Sequence, residues 1–372
     1  MNSPALPASF SSEPHPGSSY FDLSRDEWLE RIAARKAQLG DQLVILGHHY
    51  QVDDVIRFAD VRGDSLGLAR YASTADAQTI LFAGVHFMAE SAAILARPEK
   101  RVILPDLRAG CSMADMAPLD ELEQAWQELA TVRDVTRVVP VVYVNSAASL
   151  KAFAAQRGGV TCTSSNAEQV LRWAFERGDA VFFLPDQYLG RNVARHLGYD
   201  PRTLAVWKRH EPLGGLDAEA LASKKLLLWD GYCSVHMGFT RAHVEHWRNE
   251  RPDIRVLVHP ECHDDVVEAA DDVGSTAHII QRVAQSPAGS EWAVGTEINL
   301  VNRLQAEHPD KFVTSLSPYP CLCATMYRIR PPYLLWTLDE LAAGRVVNRI
   351  KVDEQTKQAA RLALQRMLEI TT

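Results

Sequence analysis

Cys111 in AGCSMADM, Cys233 in WDGYCSVHMGFT, and the pair Cys321 and Cys323 in SPYPCLCATM lie far apart in the chain. No compact C-x-x-C spacing joins them, so a metal site would need separate segments to meet in space. Three thiolates brought together could hold an iron–sulfur cluster. Clusters ordinarily take four cysteines, so three would leave one iron open to water or substrate. That iron would be a Lewis acid able to hold a departing hydroxyl. A zinc ion bound by three thiolates and His259 is a competing arrangement. The same letters also fit small buried hydrophobes, since free cysteine is often core. Cys162, within the run VTCT, reads as core, and Cys262, beside Glu261, leans the same way. Spacing alone does not choose between Cys321 and Cys323.

Acid–base and anion-binding types recur in other short stretches. GHHYQ carries His48, His49 and Tyr50 in one loop. His48 or Tyr50 could transfer a proton or bind an anion, and a histidine pair bonded to loop backbone accounts for the same residues. HPECHDD supplies His259 and Glu261, a base or a partner to a metal, or else an acid facing a helix N-terminus. Ser65 in GDSLGLA, Tyr143 and Asn145 in VVYVNSAASLKA, Ser164 in TSSNAEQ and Thr276 in GSTA repeat one theme, polar groups at helix entries. One such residue is a cap, whereas several at equivalent places suggest a cradle for carboxylate or phosphate.

All these residues share one kind of position. Short apolar runs such as LVIL, TILFAG, RVILPD, VVPVVYV, AVFFLPD, LLLWDG, IRVLVHP and EWAVG each end in a polar tip and pass into a helical pattern. Continuous apolar strands alternating with amphipathic helices predict parallel sheets covered on both faces. In such sheets ligands bind beyond the carboxyl ends of the strands. About ten such units divide into three small α/β domains, of ordinary size, whose tips would converge on one central site if these strand ends point inward. The expected division is a disordered tail over 1–25, then a first domain over 26–115 plus 325–372. A second domain follows over 116–225, with an insertion at 199–224 that breaks the rhythm, and a third over 226–324. His86, Glu90, Asn166, His236 and Glu297 also fall at strand ends, without an assigned role.

The bulk composition fits an enzyme of this kind. The chain has 372 residues, 47% hydrophobic and 23% charged, with a net charge of −8 and no basic block. A nucleic-acid partner is therefore not expected. No apolar run reaches the roughly 18 residues of a membrane span, and the Pro- and Ser-rich start has no signal-peptide pattern. Scattered cysteines without a secretion signal indicate reduced thiols and a cytoplasmic protein. GxGxxG after a strand, GxxxxGK[ST], HExxH, GxSxG and CxxxCxxC are all missing, which argues against nucleotide-binding, zincin, serine-hydrolase and radical chemistries.

Taken in order, LGHHYQ, GDSLGLA, GVHFMAESA, LPDLRAGCSMADM, VVYVNSAASLKA, CTSSNA, LPDQYLG, WDGYCSVHMGFT, HPEC, GSTAHII, VGTEINLVNRL and C-x-x-M before LLWTL resemble the quinolinate synthase family from about residue 40 to the C-terminus. The resemblance implies condensation of iminoaspartate, made by L-aspartate oxidase, with dihydroxyacetone phosphate, losing phosphate and two waters. It implies a [4Fe–4S] cluster on three cysteines, with one open iron, at the centre of three similar small three-layer α/β domains in a pseudo-threefold arrangement. By the family's C-x-x-M pattern the third ligand is Cys323, within Cys323-Ala-Thr-Met326, and Cys321 is a neighbour. His48 and Tyr50 would orient the triose phosphate, while Ser65, Tyr143, Asn145, Ser164 and Thr276 would hold carboxylates or phosphate. His259 and Glu261 would sit near the open iron, Glu261 as acid/base. His49 stands where members commonly carry Asn and takes no role. Another [4Fe–4S] hydro-lyase on a small carboxylate, or a non-catalytic metal-dependent sensor, are the rival readings. The abundance of acid–base groups at strand ends counts against the sensor.

Overall fold

The computed structural model describes residues 14–370. Its thirteen strands form three parallel sheets. The first sheet holds β1 (Leu43–His48), β2 (Val61–Gly63), β3 (Thr79–Ala83) and β4 (Arg101–Ile103), in the order β2-β1-β3-β4. The second holds β5 (Val138–Tyr143), β6 (Val160–Cys162), β7 (Ala180–Leu184), β8 (Leu204–Trp207) and β9 (Leu226–Trp229), ordered β6-β5-β7-β9-β8. The third holds β10 (Arg255–Val258), β11 (Asp272–Val273), β12 (Glu291–Gly295) and β13 (Phe312–Ser315), ordered β11-β10-β12-β13. With its flanking helices each sheet makes one α/β domain, so the expected three similar domains are present. The central strands β1, β3, β5 and β7 are buried along their whole length. That is why they read as unbroken apolar runs rather than as alternation.

Three strands are shorter or less buried. β2, β8 and β11 lie at sheet edges, are two to four residues long and are largely half-buried. The segment 199–224, expected as a plain insertion, supplies β8, which pairs with β9 from Leu204 opposite Leu226 to Trp207 opposite Trp229. It gives the second sheet the fifth strand that the other two lack.

Packing joins the domains unequally. The first two share one continuous apolar core, which runs from Ile45 and Phe82 through Val141 and Phe183 to Leu364 and Met367. The third has two smaller clusters, around Val256 and Phe239 and around Leu257 and Trp292. The C-terminal helix Glu354–Ile370 packs on the helix Ala148–Gln156 and on β6 of the second domain, as well as on the helix His86–Leu95 of the first. It is thus a bridge between the two, where the sequence pattern grouped it with the first. Of the expected N-terminal tail, residues 1–13 lie outside the described residues. From Ser18 the chain is packed: the Tyr20 hydroxyl donates to Asp339 (3.0 Å), and Phe21 meets Tyr333 edge to face at 5.8 Å. The helix Arg25–Leu39 follows, opened by a capping box between Ser24 and Glu27. Among the described residues, no helix is long and apolar enough to cross a membrane.

Candidate active site

Strand register makes the three domains chemically comparable. Gly47, Val142 and Val258 are each the last residue of a central strand paired on both sides. The next residues are His48, Tyr143 and His259, and two further on come Tyr50, Asn145 and Glu261. On the neighbouring strands, three residues beyond the paired Arg62, Thr161 and Val273, stand Ser65, Ser164 and Thr276. Cys111, Cys233 and Cys323 follow β4, β9 and β13. Equivalent positions in three sheets thus carry four layers of functional types.

All twelve of these residues line one central cavity of about 650 Å³, its mouth included, together with His236, Phe87, Met88, Met113 and Met326. His49, Cys162, Cys262 and Cys321 do not line it. Nor do His86, Glu90, Asn166 and Glu297. Glu90 accepts from the Ala148 amide (3.2 Å), and Asn166 bonds the Thr163 amide (2.7 Å), so both serve local structure.

The three cavity thiols share a local backbone. The carbonyl of each accepts from the amide four residues on: Asp115 to Cys111 (3.1 Å), Met237 to Cys233 (3.1 Å) and Tyr327 to Cys323 (3.0 Å). Burial pushes all three thiols up, Cys111 to about 12, and the amide three residues further on (Ala114, His236 or Met326) pulls each back down. Cys233 is also raised by the negative charge that Cys111 and Cys323 would carry. Three half-buried thiols that would repel one another as anions, each supplied with an N–H donor, make a donor set suited to a cationic cluster. Cys321 lacks this backbone. Its carbonyl instead accepts from Ile298 (3.1 Å), and its sulfur lies near Gly238, packed with the third domain's core. Of the two, Cys323 alone lines the cavity.

His48 and His259 form a matched pair. Each Nδ1 accepts from the amide two residues on, of Tyr50 (3.2 Å) and Glu261 (3.3 Å) respectively. An acceptor Nδ1 leaves the proton of the neutral ring on Nε2. Burial, with neighbouring cations, pushes both imidazoles down to about 3, so each is a neutral N–H donor. Tyr50 is held at its hydroxyl by Thr276 (3.1 Å) and Thr296 (2.8 Å), and burial pushes that phenol up. Glu261 accepts from the Tyr143 hydroxyl (2.5 Å) and bonds Nδ1 of His236 (3.1 Å). Burial pushes its carboxyl up, but the facing imidazoles and the bonds from His236 and Tyr143 outweigh burial and keep it low. His236 stacks on His259 at 4.4 Å, and its buried Nε2 has no partner, as is true of Asn145 Oδ1. Cys233, His236 and Glu261 each offer a donor atom within 4.8 Å of the others.

Two supports were given no role by the sequence. Lys151 is fully buried on the helix Ala148–Gln156, and its Nζ donates to the Ser146 carbonyl (2.5 Å). Ser146 Oγ in turn donates to the Tyr143 carbonyl (2.8 Å), which ties down the loop holding Tyr143 and Asn145. Burial lowers the Lys151 ammonium to about 8. His236, which the sequence placed at a strand end, is the second: its contact with Glu261 crosses from one loop to another.

Three α/β domains thus bring half-buried thiols and acid–base groups onto one shared cavity, the layout of an enzyme. Residues 30–369 match the family model described as quinolinate synthetase A protein. The chain is 53% identical over 354 residues to a quinolinate synthase of Herpetosiphon aurantiacus, an alignment covering 94% of each chain. It is 50% identical over 368 residues to one of Rhodopirellula baltica (96% and 94% covered) and 51% identical over 352 residues to one of Corynebacterium glutamicum (94% and 89% covered). The chain belongs to the quinolinate synthase family.

Proposed function

We propose that this protein condenses iminoaspartate with dihydroxyacetone phosphate to quinolinate, releasing phosphate and two waters, in the cytoplasm and in functional coupling with an L-aspartate oxidase that supplies the imine. The observation that carries the reading is the convergence of Cys111, Cys233 and Cys323 with His48, Tyr50, Tyr143 and Glu261 on one cavity. Held by those three thiolates, a [4Fe–4S] cluster would offer one open iron as Lewis acid for a leaving hydroxyl.

The chain's own residues account for the rest. The neutral Nε2–H groups of His48 and His259 donate to phosphate or carboxylate oxygens without bringing a competing charge. Ser65, Ser164 and Thr276, each near a helix entry, add hydroxyl donors. Asn145 Oδ1, buried and unpartnered, accepts an N–H from the nitrogen that closes the ring. Glu261 is kept ionised and takes up a proton at Oε1 or Oε2. Tyr143 and His236 steady that carboxylate, and the Tyr50 phenol delivers a proton to a departing oxygen. Burial keeps water from the imine, which it would hydrolyse.

The test is anaerobic purification followed by iron, sulfide and zinc analysis, a visible spectrum, and an assay for quinolinate from the two substrates. About four irons per chain with quinolinate formed is the expected result. A cluster without quinolinate would move the reading to another hydro-lyase. Zinc in place of iron after reconstitution, at the neighbouring Cys233, His236 and Glu261, would overturn it.

A further inference from the structure

The loop that carries His48 and Tyr50 belongs to the first domain, yet its backbone is gripped from the third. The helix Ile298–Glu307 follows β12, and two of its residues, one turn apart, face that loop. Arg303, 7% exposed, donates from Nη1 to the His49 carbonyl (2.8 Å), from Nη2 to the Gln51 carbonyl (2.6 Å) and from Nε to Asp53 (2.9 Å). Asn299 donates from Nδ2 to the carbonyl between them, that of Tyr50 (3.3 Å). Three successive carbonyls, His49 to Gln51, are therefore held by one helical turn of another domain. The Tyr50 hydroxyl is held from the same corner by Thr296. The corner also reaches the third thiol, because Glu297 bonds Asn299 Nδ2 (2.9 Å) and accepts from the Cys323 amide (3.4 Å).

We propose that Asn299 and Arg303 are positioning residues, a clasp across the domain boundary that fixes the Tyr50 phenol by holding the backbone beneath it and ties its place to that of Cys323. A guanidinium suits this position because its planar fork satisfies two carbonyls and a carboxylate at once, which an ammonium does not. The third domain's apolar clusters are separate from the core of the first and meet it at Tyr50, so polar contacts of this kind add to the relation between them. A 1 Å displacement of a reacting group costs on the order of 100-fold in rate. The inference rests on the proposed reaction for its kinetic arm only.

The experiment compares wild type, Arg303→Met, Arg303→Lys and Asn299→Ala as reconstituted holoenzymes, by hydrogen exchange of the peptide spanning residues 47–58 and by kcat and KM. Arg303→Met is expected to speed exchange in that peptide at least about tenfold, with peptides from β5 and β10 unchanged. It is also expected to lower kcat about 100-fold, with KM for the triose phosphate shifted much less, and iron content is expected to stay at the wild-type level. Arg303→Lys should recover part of the kcat. Asn299→Ala, which leaves no buried charge unpaired, should lose about tenfold and serves if Arg303→Met does not fold. Folded variants with unchanged exchange in 47–58, or kcat within twofold of wild type, overturn the clasp. If wild type makes no quinolinate while exchange still rises in the variants, the clasp stands and the reaction proposed above falls.

Discussion

Acidification should weaken this fold through two histidines of the site, and the size of the effect follows from their burial. His48 and His259 are 4% and 3% exposed, and burial pushes each imidazole down to about 3. In the unfolded chain each returns to about 6.5. Between those values the unfolded state binds more protons than the folded one, so stability is full above pH 6.5 and is lost as pH falls toward 3. For one such group, linkage gives a loss of about 2 kcal/mol between pH 7 and pH 5. The pair together gives about 4 kcal/mol, a large part of a typical net stability of 5–15 kcal/mol. Urea unfolding of wild type and His48→Gln at both pH values isolates one of them, because every other titrating group is common to the two proteins. The variant is expected to be less stable at pH 7, through lost packing and the lost Tyr50 amide bond, but to lose about 2 kcal/mol less on acidification. Equal losses in both proteins would show that His48 takes up its proton in the folded state as readily as in the unfolded chain. The neutral-donor role assigned to it would then be wrong.

Three further outcomes can be checked directly. Cys111→Ser, Cys233→Ser and Cys323→Ser should each abolish bound iron and quinolinate formation, whereas Cys321→Ser should keep both, by iron analysis and assay; a Cys321→Ser protein without iron would reverse the ligand assignment. Tyr143→Phe leaves the buried Glu261 carboxylate short of one charge-assisted bond and should cost about 1.5–3 kcal/mol at neutral pH, with the deficit shrinking in acid as the carboxyl takes up a proton. At Gly231 an added Cβ would lie 2.4 Å from the Pro185 carbonyl oxygen. Gly231→Ala should therefore displace the turn leading to Cys233 and lower iron retention, measured as iron per chain after gel filtration, in a protein whose circular dichroism is unchanged.

Much of the site was legible because its residues occupy one recognisable kind of place. A buried parallel strand writes an unbroken apolar run, and the first polar residues after it must lie at its carboxyl end. His48, Tyr143, His259 and the three thiols were visible in that way. The edge strands β2 and β11 were not, since a half-exposed strand of two or three residues leaves no run to detect, and β8, though it reads LAVW, lies in a segment expected as an insertion. Spacing could not separate Cys321 from Cys323; the resemblance to the family chose Cys323, which lines the cavity while Cys321 does not. Lys151, Asn299 and Arg303 remained hidden for another reason. They act by donating to carbonyls, and a carbonyl carries no trace of its partner in the letters of the chain.

The packing of the two chain ends has a consequence for synthesis. The helix Arg25–Leu39 leaves the ribosome early, but the helix Pro331–Ala342 that it packs against, and whose Asp339 meets Arg31 and Arg35, emerges near the end. The helix Glu354–Ile370, which seals the first two domains together, comes last. At ~5–20 residues per second, the early helix waits tens of seconds for its partner. Cys323 likewise is made long after Cys111 and Cys233. A nascent chain halted before residue 331 would expose an unfinished first domain, with its cavity thiols not yet brought together.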